Sequence, residues 1–379
     1  MLPKMRRLLT EAGIPFCELG GVVPNPLLSK VREGIALCRR EGIDFILAVG
    51  GGSVIDSSKA IGYGVCYDGD VWDFWDGKAK PTACLPIGAV LTIPAAGSEM
   101  SDSCVISHEL PSGRGAIKRG VNSDLCRCRF AIMNPERTFT LPPYQTAAGA
   151  TDIMMHTMER YFTPEDDMTL TDALAEALMR TVKDCVRVVL KNAEDYRARA
   201  QIMWAGSLSH NNLMECGTMK DFASHKLEHE LSALFGVTHG AGLAAIWPSW
   251  ARYMIARGHA ARFAQFAVNV MGVTLPPLSP QDSSPQAGLP PLSPPDSSPQ
   301  AEELSSDLVK TALHGVEAME QFYHEIGMPT TIRELLNRDI TDEEIETMVE
   351  NCSRGGTLSI GSLEKLGAKE MKEIYEMAK

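Results

Sequence analysis

The spacing of apolar positions changes sharply early in the chain. KVREGIALCRREGI has the spacing of an amphipathic helix, and the short apolar run DFILAVG after it predicts a strand buried on both faces. Helical spacing returns in VIDSSKAIGYG, after Gly50, Gly51, Gly52 and Ser53, and PIGAVLTIP and FAIMNP read as two more strands. This β-α-β alternation predicts a mostly parallel sheet with helices on both faces. Past Leu141 and Pro142 long helical patterns dominate, for example the stripe Leu174, Leu178, Cys185 and Val189. The reading divides the chain into an α/β domain over residues 1–140 and an all-helical domain over 141–379.

One stretch follows neither period. LPPLSPQDSSPQAG (275–288) is followed directly by LPPLSPPDSSPQAE (289–302). Its Pro and Ser content offers no apolar face for a core, so a disordered surface insertion is expected, with helix resuming at LVKTALHGVEAMEQFYHEIG.

Composition narrows the function classes. A chain of 379 residues supports two well-developed cores. The formal net charge of −12, with no basic stripe, argues against nucleic-acid binding. No apolar run reaches the length of a membrane span, and MLPKMRRLLTEAGIPF lacks the apolar centre of a signal peptide. The ten cysteines follow no regular framework and read as reduced cytosolic thiols, so a cytoplasmic location is expected. Cys126 and Cys128 form a C-x-C without a second pair nearby, and are read as strand-edge thiols.

Two clusters carry candidate chemistry. Asp152 and His156, four residues apart in TDIMMHTMERYF, lie one above the other on a helix. HKLEHELSALFGVTHGAG repeats that spacing with His225 and His229, and adds His239. Taken singly, each pair reads as a surface pair or as satisfied core histidines. Together, a carboxylate and several imidazoles in apolar sequence suit a divalent transition metal, iron or zinc, better than magnesium or calcium. Glycines between a strand end and a helix start let backbone N–H groups approach a phosphate, as Gly51, Gly52 and Ser53 would. A lone GGGS is also an ordinary tight turn. The small-residue turn from Thr92 to Glu99 follows a strand in the same way and would line the same crevice. A nicotinamide cofactor on the first domain could then meet a metal-bound oxygen on the second.

At this point AVGGGSVIDSSKAIG, DGDVWDFWDGKA, LTIPAAGSEMS, NPERTFTLPPYQTAAGATDIMMHTMERYF and HKLEHELSALFGVTHGAGLAAIWPSWARY can be taken together. In this order they resemble the iron-containing (group III) alcohol dehydrogenases, most closely the butanol dehydrogenase-like branch. The resemblance implies metal ligands at Asp152, His156, His225 and His239, with Fe2+ favoured over Zn2+. It implies a proton-relaying histidine at His229 beside the substrate. NAD or NADP would lie on Gly51, Gly52 and Ser53, with Asp56 behind them and Thr92 nearby. Lys118, seventeen residues before Pro135, would sit by the nicotinamide ribose, although a surface lysine is an equal reading. The implied activity is hydride transfer between nicotinamide and a short-chain alcohol or aldehyde, and a homodimer is the expected assembly.

Two departures from the family pattern stand out. The family begins with further strands and a glycine-rich turn that reads the adenosine ribose, whereas this chain starts at a later helix. An α/β domain lacking its first strands, with a weakly held adenosine end, is therefore expected, and an inactive or weakened remnant is the alternative reading. Asn134 also stands where the family has aspartate. A dehydroquinate synthase-like lyase, which arranges Glu, His and His around zinc, and a glycerol dehydrogenase-like enzyme, with fewer histidines, fit the ligand set less well.

Overall fold

The computed structural model describes residues 1–110, 116–165, 167–274 and 299–379. The first part comprises α1 (Leu2–Glu11), α2 (Leu28–Glu41), β1 (Ile46–Gly50), α3 (Gly52–Val65), β2 (Ile87–Leu91), β3 (Ser103–Glu109), β4 (Ala116–Asn122) and β5 (Phe130–Ile132). Then follow α4 (Pro143–Tyr161), α5 (Thr169–Lys191), α6 (Tyr196–Ser209), α7 (Ala223–Phe235), α8 (His239–Ala256) and α9 (Ala260–Phe266). The chain closes with α10 (Pro299–Glu325), α11 (Ile332–Leu336), α12 (Asp342–Ser353) and α13 (Ala368–Met377).

The three strands read from the sequence form one parallel sheet in the order β1-β2-β5. Gly50 pairs with Leu91, so the chain leaves β1 and β2 side by side at their carboxyl ends. The amide of Thr92 donates to the Gly50 carbonyl at 3.1 Å, which ties the two exits together. Ala48, Ile55, Ile87, Ala89 and Leu91 form the core beneath α3, and Met203 of α6 is buried among them.

An antiparallel pair, β3 with β4, was not anticipated. Its buried positions, Cys104 and Ile106, alternate properly for a strand. Charged residues on both faces, Glu109 and Lys118 on one and Arg119 opposite Ile106 on the other, kept it from reading as an apolar run. Cys126 is likewise not at a strand edge: it is buried at the end of a short 3-10 turn, Asp124–Cys126. All ten cysteines are free.

From Pro143 onward the described elements are helices, apart from an isolated bridge between Ile360 and Leu366. A single core runs through them, with α4 and α8 at its centre. Residues 146–161 of α4 are buried all round, as befits a helix surrounded by other helices. In the α5 stripe, Leu178 and Val189 are buried while Leu174 is exposed. Most of the Pro- and Ser-rich repeat, 275–298, lies outside the described residues. Its last four residues, 299–302, do not continue an extended loop but open α10, where proline is tolerated in the first turn. No helix among the described residues is long and apolar enough to cross a membrane.

Candidate active site

Three segments converge below the carboxyl edge of the parallel sheet. Helix α4 presents Asp152 and His156 from one face, both buried. The first turns of α7 bring His225 and His229, and His239 begins α8. The close approach of α8 to α4 depends on Gly240, because a Cβ there would lie 2.0 Å from the carbonyl oxygen of Ala148.

Two buried glutamates that the sequence reading did not single out fix the imidazoles. Glu159, two turns along α4, stands 2.8 Å from Nδ1 of His225 and also accepts the backbone N–H of His225 at 2.9 Å. Glu228, fully buried on α7, holds Nδ1 of His239 in the same way. A carboxylate only accepts, so both Nδ1 atoms carry hydrogen and both Nε2 atoms are left with lone pairs. Each Nε2 lies 3.7 Å from Oδ1 of Asp152. Nδ1 of His156 lies 3.2 Å from that oxygen. Four ligand atoms about 2.1 Å from one tetrahedral ion would be about 3.4 Å apart, so this spacing suits one cation.

The hydrogen-bond account agrees. Asp152 Oδ1, His156 Nδ1 and His225 Nε2 are buried without a hydrogen-bond partner, an arrangement that costs free energy unless something satisfies it. Asp152, His225 and His239 each offer an atom within 4.8 Å of the others, a set that does not include His156. The His156 ring lies at the side, its centroid 4.6 Å from that of His225, and stacks on His210 at 4.1 Å. His210 is the third residue missed by the reading. It is a lone histidine after α6, and its Nδ1 donates to the Ala96 carbonyl at 2.8 Å.

Electrostatics follows from burial and these contacts. Burial alone would raise the Asp152 carboxyl, but His156, His239 and His225 outweigh it and hold it well below the usual carboxylate range. Burial alone would lower His225, but the carboxylates of Asp152 and Glu159 push it up to about 9. Without a metal a proton occupies this nest of acceptors, and a divalent ion would displace it. His229, with its ring centroid 5.7 Å from that of His239, is held neutral by burial and by the nearby Lys118 ammonium.

The nucleotide-type turn faces the same space. Gly51 precedes α3 without a side-chain cap, which leaves the first amides of the helix available to an anion. A Cβ on Gly51 would meet Ile93 Cγ2 at 2.4 Å, and one on Gly52 would meet Ala96 Cβ at 3.1 Å, so side chains here would close the gap between the two loops. Asp56 lies half-buried behind the turn, accepting from the Ser98 hydroxyl and, at 2.9 Å, from the Val105 amide. Lys118, on β4, is buried with Nζ 3.8 Å from Glu228, so it is not a surface lysine. A cleft of about 1120 Å³ is lined by Gly51, Gly52, Ser53, Asp56, Lys118, Asp152, His156, His225, His229 and His239. Thr92 is not on its wall. The neighbouring Ile93, Ala95, Ala96 and Ser98 are.

Known proteins share this fold. Residues 1–135 match the family described as iron-containing alcohol dehydrogenase, and residues 146–285 match its C-terminal domain. The chain belongs to the iron-containing alcohol dehydrogenase family. It is an oxidoreductase of the alcohol dehydrogenase and aldehyde reductase kind. It is 36% identical to the NADH-dependent butanol dehydrogenase A of Clostridium acetobutylicum over 369 residues, 97% of this chain and 86% of that protein. It is 29% identical to the NADPH-dependent aldehyde reductase of Escherichia coli, over 97% of this chain and 86% of the relative. The crystal structure of the NADH-dependent butanol dehydrogenase A of Thermotoga maritima superposes with a TM-score of 0.85 at 31% identity, covering 100% of this chain and 87% of that one.

Proposed function

We propose that this chain interconverts short-chain primary alcohols and aldehydes, butanol and butanal among them, using NAD(H) or NADP(H) and one divalent metal. In the oxidative direction the alcohol loses a hydride to the nicotinamide and a proton to the protein. The reverse step consumes both. Asp152, His156, His225 and His239 are the proposed ligands, with iron favoured and zinc accepted. The convergence of unpartnered buried ligand atoms on Asp152 is the observation that carries this reading. A bound divalent ion supplies Lewis acidity toward the substrate oxygen.

The remaining roles concern the chain's own residues. Gly51, Gly52 and Ser53 receive the pyrophosphate on the α3 amides, with Asp56 bracing the turn through Ser98 and Val105. Thr92 acts from behind the wall by joining the two strand exits, and Lys118 faces the nicotinamide end of the cleft. His229, neutral and on the cleft wall, takes up or returns the proton. A boundary near residue 140, a cytoplasmic location and a homodimer complete the proposal. The test combines metal analysis of the purified protein with assays on short-chain aldehydes and alcohols, each with NADH and NADPH or their oxidised forms. Absence of bound metal together with absence of turnover would overturn the proposal.

A further inference from the structure

Five non-glycine residues among the described ones have a positive φ: Asn25, Asn212, Phe222, Asn337 and Arg354. Asparagine tolerates this region, and Arg354 ends α12. Phe222 is the exception. A bulky side chain at φ 58 and ψ 19 is a strained choice for the residue that introduces α7. Glycine or asparagine would make the same turn with less strain, so the turn alone does not account for an aromatic side chain.

Its surroundings hold the ring in place. Lys226 N–H donates to the Phe222 carbonyl at 3.1 Å, and the preceding Asp221 N–H donates to the Glu159 carbonyl at 2.7 Å. The Arg160 guanidinium lies 5.0 Å from the ring centroid and the Lys220 ammonium 5.9 Å. Arg160 is buried, reaching Glu215 at 2.9 Å and the His156 carbonyl at 2.8 Å. Toward the cleft, the ring centroid is 5.0 Å from that of His225 and 6.2 Å from those of His156 and His210. Phe222 is partly exposed, and what it faces is the cleft itself. An apolar ring is thus clamped beside a group of polar metal-ligand candidates. Strain kept at such a place points to function.

The geometry points to Phe222 as the wall that limits the bulk of the substrate beside its reacting carbon, and so as a determinant of preference for unbranched over branched or aryl aldehydes. This rests on the ligand set proposed above, because a substrate oxygen placed among His225, His156 and Asp152 leaves its carbon chain beside this ring. The ring offers apolar contact to a linear chain and collides with substituents on the carbon next to the carbonyl.

The test compares the metal-loaded wild type with F222G and F222W, measuring kcat/KM for butanal, 2-methylpropanal and benzaldehyde with NADH and NADPH, alongside metal content. F222G removes the ring and suits the positive φ. F222W keeps an aromatic side chain at that backbone angle and adds volume. The expected result is a rise of roughly tenfold in the branched-to-linear ratio for F222G and a fall for F222W, both with metal retained. A ratio within about twofold of wild type in both variants overturns the assignment while leaving the ligand set standing. Should F222G lose its metal or its fold, an unchanged ratio in F222W overturns it alone. A wild type that reduces none of the three aldehydes overturns the proposed function and this assignment together.

Discussion

The carboxylate of Glu159 stands 2.8 Å from Nδ1 of His225, one residue on α4 and the other on α7. The contact fixes the tautomer and points Nε2 at Asp152. Glu228 does the same for His239 from within α7. Two helices and the start of a third are therefore registered against one another by the groups that would hold the metal.

Glu159→Gln should keep the fold but weaken metal retention by roughly 10–100-fold, because an amide can donate to Nδ1 and favour the wrong tautomer. Competition with a chelator, read by metal analysis, checks this. Metal affinity equal to wild type would show that the carboxylate does not orient His225.

His225→Ala and His239→Ala should each abolish metal retention, since each removes one of the Nε2 atoms 3.7 Å from Asp152. His229→Ala should leave metal content intact and slow turnover by about 10²–10⁴-fold, the usual range for losing a proton-transfer group. Loss of metal in the His229 variant would instead make that residue a ligand.

Gly52→Val should raise the dissociation constant for NADH and NADPH at least about tenfold with metal content unchanged. A Cβ at this position would lie 3.1 Å from Ala96 Cβ, and valine would add two methyl groups over the amides proposed to receive the anion. Fluorescence titration decides it, and wild-type affinity would place the pyrophosphate elsewhere.

Burial pushes the Glu230 carboxyl on the cleft wall up to about 8 from an ordinary value of 4.5, against the opposing pull of Asn351, Lys118 and Arg119. The folded state therefore keeps a proton that the unfolded chain gives up. The resulting stabilisation is complete below 4.5 and is lost as pH rises toward about 8. Glu230→Gln, which mimics the neutral acid, should remove this part of the pH dependence. At pH about 8.5 the variant should melt a few degrees above wild type, at roughly 2–4 °C per kcal/mol, with a smaller gap at pH about 5. A gap that does not widen with pH would mean that Glu230 is ionised throughout.

Periodicity alone located the three parallel strands, the helices α2 and α3 on either side of the first of them, and the helical second half, because each repeats its pattern over several residues. Chemistry at helical spacing likewise exposed Asp152 with His156 and His225 with His229. Pattern failed at β3 and β4, where charged residues interrupt both faces, and at Leu174, which points outward on a stripe that looks continuous.

What the sequence by itself determined is the inventory: a glycine turn after a strand, and one carboxylate with several imidazoles on helices. Only the tertiary structure decided which of these meet. Glu159 and Glu228 carry no local signal, since a glutamate on a helix usually faces water, and they acquire a role only when α4, α7 and α8 pack and bury them. The same holds for Lys118, which looks like a surface residue on a polar segment until α7 covers β4 and sets Glu228 3.8 Å away. Local pattern reports which face of an element is apolar. It carries no information about which polar groups from distant elements are removed from water together, and that shared desolvation turns four separated side chains into one candidate metal site.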